Sequence, residues 1–71
     1  MLNGKRYRGT VQEFNTFGGR GTILMQDGRE VRVRYSAILG EGVRSLEKGT
    51  LVSFQLEESR RGLVAVRVRP E

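Results

Sequence analysis

Hydrophobic and polar residues alternate in short runs along this chain. The clearest run is 30–35, where Val31 and Val33 fall on one side and Arg32 and Arg34 on the other. That two-residue period predicts a half-buried strand. Residues 50–57 repeat it with Val52, Phe54 and Leu56, and residues 63–69 with Val64, Val66 and Val68 set inward. Two further strands are predicted at 7–15 and 21–26, separated by Gly18-Gly19. Asp27-Gly28 is a tight-turn signal, and Ser59-Arg60-Arg61-Gly62 reads as a second turn. Residues 36–48 show no alternation. Ser36-Ala37-Ile38-Leu39 predicts one helical turn, after which Gly40 and Gly42 open a long loop.

Five short strands with one long connection after the third predict an all-β fold, a five-stranded antiparallel Greek-key barrel. Closing the sheet hides edges that would otherwise template aggregation. The expected inward set is Val11, Ile23, Val31, Val33, Ile38, Leu46, Val52, Phe54, Leu56, Val66 and Val68. Glu13 shares the parity of Val11, so unbroken alternation would bury a carboxylate. A bulge or strand break is therefore expected near Gln12-Glu13.

The chain has 71 residues, enough for one domain, 1–71, with a modest core. It contains neither cysteine nor histidine. Disulfides, thiolate metal sites and the commonest general base are thereby excluded. The acidic residues offer no acid/base pair. Asp27 and Glu30 lie at a hairpin tip, and Glu57 and Glu58, being adjacent, should face opposite ways. Gly18-Gly19-Arg20-Gly21 precedes no helical pattern, so it is not a phosphate loop. The expectation is a non-enzyme with no cofactor, metal or small-molecule substrate. No apolar stretch nears the roughly 20 residues of a membrane span. No secretory signal pattern is seen, so the expected location is the cytoplasm, with no membrane partner.

Charge adds the partner. Thirteen basic against eight acidic residues leave +5, and eleven of the thirteen are arginine. A small domain with this excess suits a polyanion, nucleic acid first.

The motifs Gly9-Thr10-Val11, Phe14-Asn15, Gly19-Arg20-Gly21-Thr22-Ile23, Val31-Arg32-Val33-Arg34-Tyr35-Ser36-Ala37-Ile38, Gly40-Glu41-Gly42, Ser45-Leu46-Glu47-Lys48-Gly49, Val52-Ser53-Phe54 and Arg61-Gly62 fall in order along the chain. In order and spacing the chain resembles the bacterial cold-shock proteins over residues 8–69. The resemblance implies an oligonucleotide-binding (OB) barrel that binds single-stranded RNA or DNA with low selectivity, melts secondary structure and acts as a nucleic-acid chaperone. It also implies a binding face on the second and third strands, carried by two ribonucleoprotein-type motifs whose rings stack on bases.

Against the family pattern most of those rings are missing. Gln12-Glu13-Phe14-Asn15 stands where the family has Lys-Trp-Phe-Asn. Arg20 and Thr22 replace the two phenylalanines of the first motif, Arg32 and Arg34 replace Phe and His of the second, and Val43 replaces a loop aromatic. Phe14 and Tyr35 remain, and Phe17 adds a ring where the family tends to be polar. The residues assigned to nucleic-acid contact are Phe14, Phe17, Arg20, Thr22, Arg32, Arg34, Tyr35 and Arg61. A guanidinium plane can stack on a base, grip a phosphate bidentately or supply cation–π attraction. Phe14 and Tyr35 suit either stacking or barrel packing, and Phe17 either stacking or covering the barrel mouth. Glu13 repels phosphate unless a neighbouring arginine pairs with it. Arg60, Arg44 and Lys48 read as diffuse charge, and Arg67 and Arg69 as solvating the last strand. Two functions stay open: a single-strand binding module, favoured by the charge and the outward arginines, and an interaction domain for an acidic protein, favoured by the lost rings.

Overall fold

The structure is a computed structural model, described here for residues 5–39 and 46–71. Gly40, Glu41, Gly42, Val43 and Arg44 lie outside those residues, as does Ser45. Five strands follow in order: β1 (Arg6–Asn15), β2 (Arg20–Met25), β3 (Glu30–Arg34), β4 (Leu51–Ser59) and β5 (Gly62–Pro70). A single 3-10 turn, Tyr35–Ala37, follows β3, one residue earlier than the pattern suggests. The strands close into a barrel in the spatial order β1-β2-β3-β5-β4.

The pairings β1–β2, β1–β4, β2–β3 and β4–β5 are antiparallel, as expected. The β3–β5 seam is parallel, joining Arg32 to Val64 and Val33 to Ala65. Five is an odd number, so strand directions cannot alternate all the way round a closed ring. One seam must be parallel, and here it is the one between β3 and β5. Ile38, in a parallel bridge to Val68, and a hydrogen bond from the Leu39 N–H to the Val68 carbonyl extend that seam.

The bulge foreseen in β1 is present. Val11 pairs with Ile23 but Glu13 with Thr22, so one extra residue sits in β1. Val11 stays buried while Glu13 turns out to solvent. A second bulge corrects the expected face of β5. Ser53 pairs with Arg69 and Gln55 with Val66, which leaves an extra residue around Arg67. Arg67 takes a left-handed φ of 51°. Val64 and Val66 therefore point outward, half-buried, while Ala65 and Val68 face the core. Met25, also unforeseen, completes the core with the other residues of the inward set, and Tyr7, Phe14, Ala37 and Leu63 pack against it.

Gly21 allows the tightest approach in the barrel. A Cβ there would overlap the Glu13 carbonyl and meet Phe14 at 2.8 Å. Gly21→Ala must push β1 away from β2, since backbone atoms cannot swing aside as a flexible side chain can. We expect it to lower stability by about 1–3 kcal/mol, the scale of overpacking, with the loss read by urea titration.

Candidate nucleic-acid interface

The register of β2 and β3 decides which side chains share a face, because residues directly opposite each other project to the same side. Val31 pairs with Ile23 and Val33 with Gly21, and the two valines are buried. The alternate rows therefore face outward. Arg20 pairs with Arg34, and Thr22 with Arg32. On β1 the first row continues to Asn15 and the second to Glu13. Arg20, Arg32 and Arg34 thus form one exposed cluster, with Thr22 between them.

Arg20 and Arg34 are like charges directly opposite, an arrangement that destabilises a sheet. Among the described residues the ion pairs are Arg8–Glu71 and Arg29–Asp27, so none neutralises this cluster. The pairing considered for Glu13 is absent from them. Gln12 donates instead to the Glu30 carboxylate at 3.2 Å, which holds that carboxylate at the far end of the face.

The turn 16–19 flanks the cluster. The Asn15 side-chain oxygen accepts from the Gly18 N–H at 3.0 Å, its carbonyl accepts from the Gly19 N–H at 2.8 Å, and Gly19 takes a φ of 68°. This short-range bonding by an asparagine fixes the turn. It throws Phe17 fully into solvent, with no cover over the barrel mouth. Tyr35 is tied to the same turn, its N–H donating to the Gly19 carbonyl at 2.8 Å, and the residue is 45% exposed. Arg20, Arg34, Tyr35 and the Phe17 turn therefore come together, and Thr22 and Arg32 extend the surface.

Two assigned residues lie apart. Phe14 pairs with Gly21 in the inward row and is half-buried against the core, so it does not share the arginine face. Gly21 has no side chain, and the ring fills that space. Arg61 sits at the tip of the β4–β5 hairpin. Its N–H donates to the Ser59 hydroxyl oxygen at 3.3 Å, and the hydroxyl donates to the Gly62 carbonyl at 2.8 Å. That hairpin borders the face through a groove at the β3–β5 seam, lined among others by Arg34, Ser36, Leu39, Ser59 and Val64.

The carboxylates offer little chemistry. The Arg29 N–H bonds Asp27 at 3.0 Å and holds its carboxyl below the usual range, with the Arg29 side chain at 2.8 Å adding to the effect. An exposed, ionised carboxylate of this kind cannot serve as an acid near neutral pH. No group of three or more potential metal ligands occurs among the described residues.

Comparison with known proteins agrees with this geometry. The family model described as the 'Cold-shock' DNA-binding domain matches residues 7–71. The chain is 44% identical to cold shock protein CspB of Geobacillus stearothermophilus over 61 residues, 86% of this chain and 92% of the relative. It is 42% identical to cold shock protein CspC of Bacillus subtilis over 62 residues, 87% of this chain and 94% of the relative. Among solved structures it resembles drosophila Unr CSD456 with a TM-score of 0.77 at 19% identity, over 94% of this chain and 27% of that one, a likeness of fold. Barrel order, motif spacing and family match converge, and the chain belongs to the cold-shock domain family of nucleic-acid-binding proteins.

Proposed function

We propose that this chain holds single-stranded RNA or DNA on the outer face of β2 and β3 through Arg20, Arg32 and Arg34, with Thr22 between them. Tyr35 and Phe17 supply the stacking surfaces at the edge, and Arg61 adds charge from the neighbouring hairpin. Phe14 supports the face from behind by packing over Gly21. The observation that carries this reading is the Arg20–Arg34 pair, two cations set opposite each other with no ion-paired carboxylate among the described residues. A phosphate lying across them removes the repulsion and gains charge-assisted, bidentate contacts. The protein then works as a cold-shock-type chaperone or a regulator of transcription or translation, without catalysis and in the cytoplasm.

Titration of a fluorescent oligo-dT strand at several salt concentrations tests this. Three phosphates neutralised by the arginines set a slope of log affinity against log salt near −2, at about 0.7 per phosphate on a single strand. We expect micromolar or weaker binding with at least that slope. Undetectable binding at low salt, or binding indifferent to salt, overturns the reading and leaves an acidic protein surface as the partner.

A further inference from the structure

The groove at the β3–β5 seam joins the β2–β3 face to arginines that the first reading leaves unused. The seam is paired at Val33–Ala65 and again at Ile38–Val68. Between those points the ladder is interrupted, because the 3-10 turn Tyr35–Ala37 folds up the longer course of the chain from Val33 to Ile38. The opening measures about 480 Å³, within the range of small-molecule clefts and roomy enough for a nucleobase. Leu39 and the half-buried Val64 and Val66 give it an apolar wall. Arg34 lines it from the β3 side, Arg67 from the β5 side and Glu57 from the β4 side.

Arg67 is the unusual member. Among the described residues it is the non-glycine residue with a positive φ, 51°. Glycine adopts that conformation freely and arginine does not. Such outliers cluster at ligand-binding sites, where the surrounding structure holds them. The bulge also keeps Val68 buried while Arg67 and Arg69 reach solvent, but a glycine at 67 would serve that purpose with less strain. Arg6 braces the bulge. Its Nη2 donates to the Arg67 carbonyl at 2.9 Å and to the Ser53 hydroxyl oxygen at 3.0 Å. Those bonds engage the Arg67 backbone and leave its guanidinium to the groove. Neither ion pair among the described residues involves Arg34, Arg67 or Glu57.

The register supplies a path across the seam. Arg20 pairs with Arg34, and the β3–β5 ladder brings Arg34 level with Val66. Val66 pairs with Gln55, and Gln55 with Arg6. This row crosses from the β2–β3 face to β1 without meeting a carboxylate. Glu57, paired with Val64, lies on one side of it, and Arg67 on the other. Phosphate is thus repelled on the Glu57 side and drawn to the Arg67 side.

We propose that this row carries the same single strand beyond the β2–β3 face. A base lies in the groove against Leu39, Val64 and Val66, and the phosphates flanking it fall on Arg34 and Arg67. Arg6 meets the phosphate that follows, since a guanidinium has five N–H donors and the two bonds to Arg67 and Ser53 leave others. The inference rests on the reading of the β2–β3 face as the binding site and adds a contact that only longer strands reach. Phosphate contacts of this kind extend the footprint without reading sequence.

Oligo-dT strands of about four and about twelve nucleotides, near the ends of the range bound by one such barrel, test this. Arg67→Gln should weaken the long strand about fivefold or more at low salt and lower its salt slope by about 0.7, as expected for one lost phosphate contact. The short strand, held by Arg20, Arg32 and Arg34, should change by less than about twofold. Arg67→Lys should keep most of the long-strand slope. Arg67→Gly separates contact from structure. It relaxes the backbone, so its urea midpoint should match or exceed the native one, yet it should lose long-strand affinity as Arg67→Gln does. Gln and Gly variants that bind the long strand like native, or that lose both lengths equally, overturn the extension and leave the β2–β3 face standing. Native protein that binds neither length overturns the face reading itself.

Discussion

Changing Arg20, Arg32 and Arg34 together to glutamine is expected to lower affinity for oligo-dT by two to three decades at about 50 mM salt. Each phosphate contact on a single strand contributes about 0.7 to the salt exponent. Between about 50 mM and 1 M salt that amounts to about 0.9 decades per contact. The slope should flatten by about 2 at the same time. The barrel should remain folded, since all three side chains are exposed and Arg20 loses a like-charged neighbour. The lysine triple variant separates charge from shape. Lysine keeps the charge but lacks the planar fork that stacks or binds phosphate bidentately. We expect it to bind about fivefold or more weaker than native, on the scale of one cation–π or stacking contact. Arg20→Phe with Arg32→Phe should strengthen binding and flatten the salt slope by restoring stacking. If none of these changes alters oligonucleotide affinity while circular dichroism is unchanged, β2 and β3 are not the binding face.

Phe54→Ala is expected to be the most damaging single substitution. Phe54 is the largest side chain fully enclosed by the barrel, at 0% exposure, and the Tyr7 ring stacks on it with centroids 6.4 Å apart. Truncating a buried phenylalanine costs about 3–5 kcal/mol in transfer and cavity terms. A chain of this length holds roughly 4–10 kcal/mol in total. The variant should melt far below the native protein, and at the lower end of that range it should not fold at physiological temperature. A calorimetric scan or urea titration decides this, and a native-like midpoint would show that the barrel collapses around the gap.

The period-two alternation predicted the strands and most of the core, because it reports directly which side chains leave water. Glu13 also announced its bulge, since burying an unpaired carboxylate costs more than inserting a residue. The bulge in β5 left no such sign. Val64, Val66 and Val68 suit one face equally well, and nothing apolar about Arg67 marks the break. Ala65, a small residue, and Met25, a flexible one, carry weak pattern signals, although both fill the barrel.

The proposed binding face divides in the same way. Outward placement of Arg20, Arg32 and Arg34 follows from alternation alone, and the family motifs are legible in residue order. That Arg20 opposes Arg34, that Asn15 fixes the turn carrying Phe17, and that Phe14 turns inward over Gly21 depend on strand register. So does the gathering of Arg6, Arg8, Arg67 and Arg69, which come from the two ends of the chain and meet only because β4 pairs with both β1 and β5. Local sequence determines which side of a strand a residue faces, since that choice is made within two residues. Which charges become neighbours is decided by closure of the barrel, which brings together residues as far apart as Arg6 and Arg67.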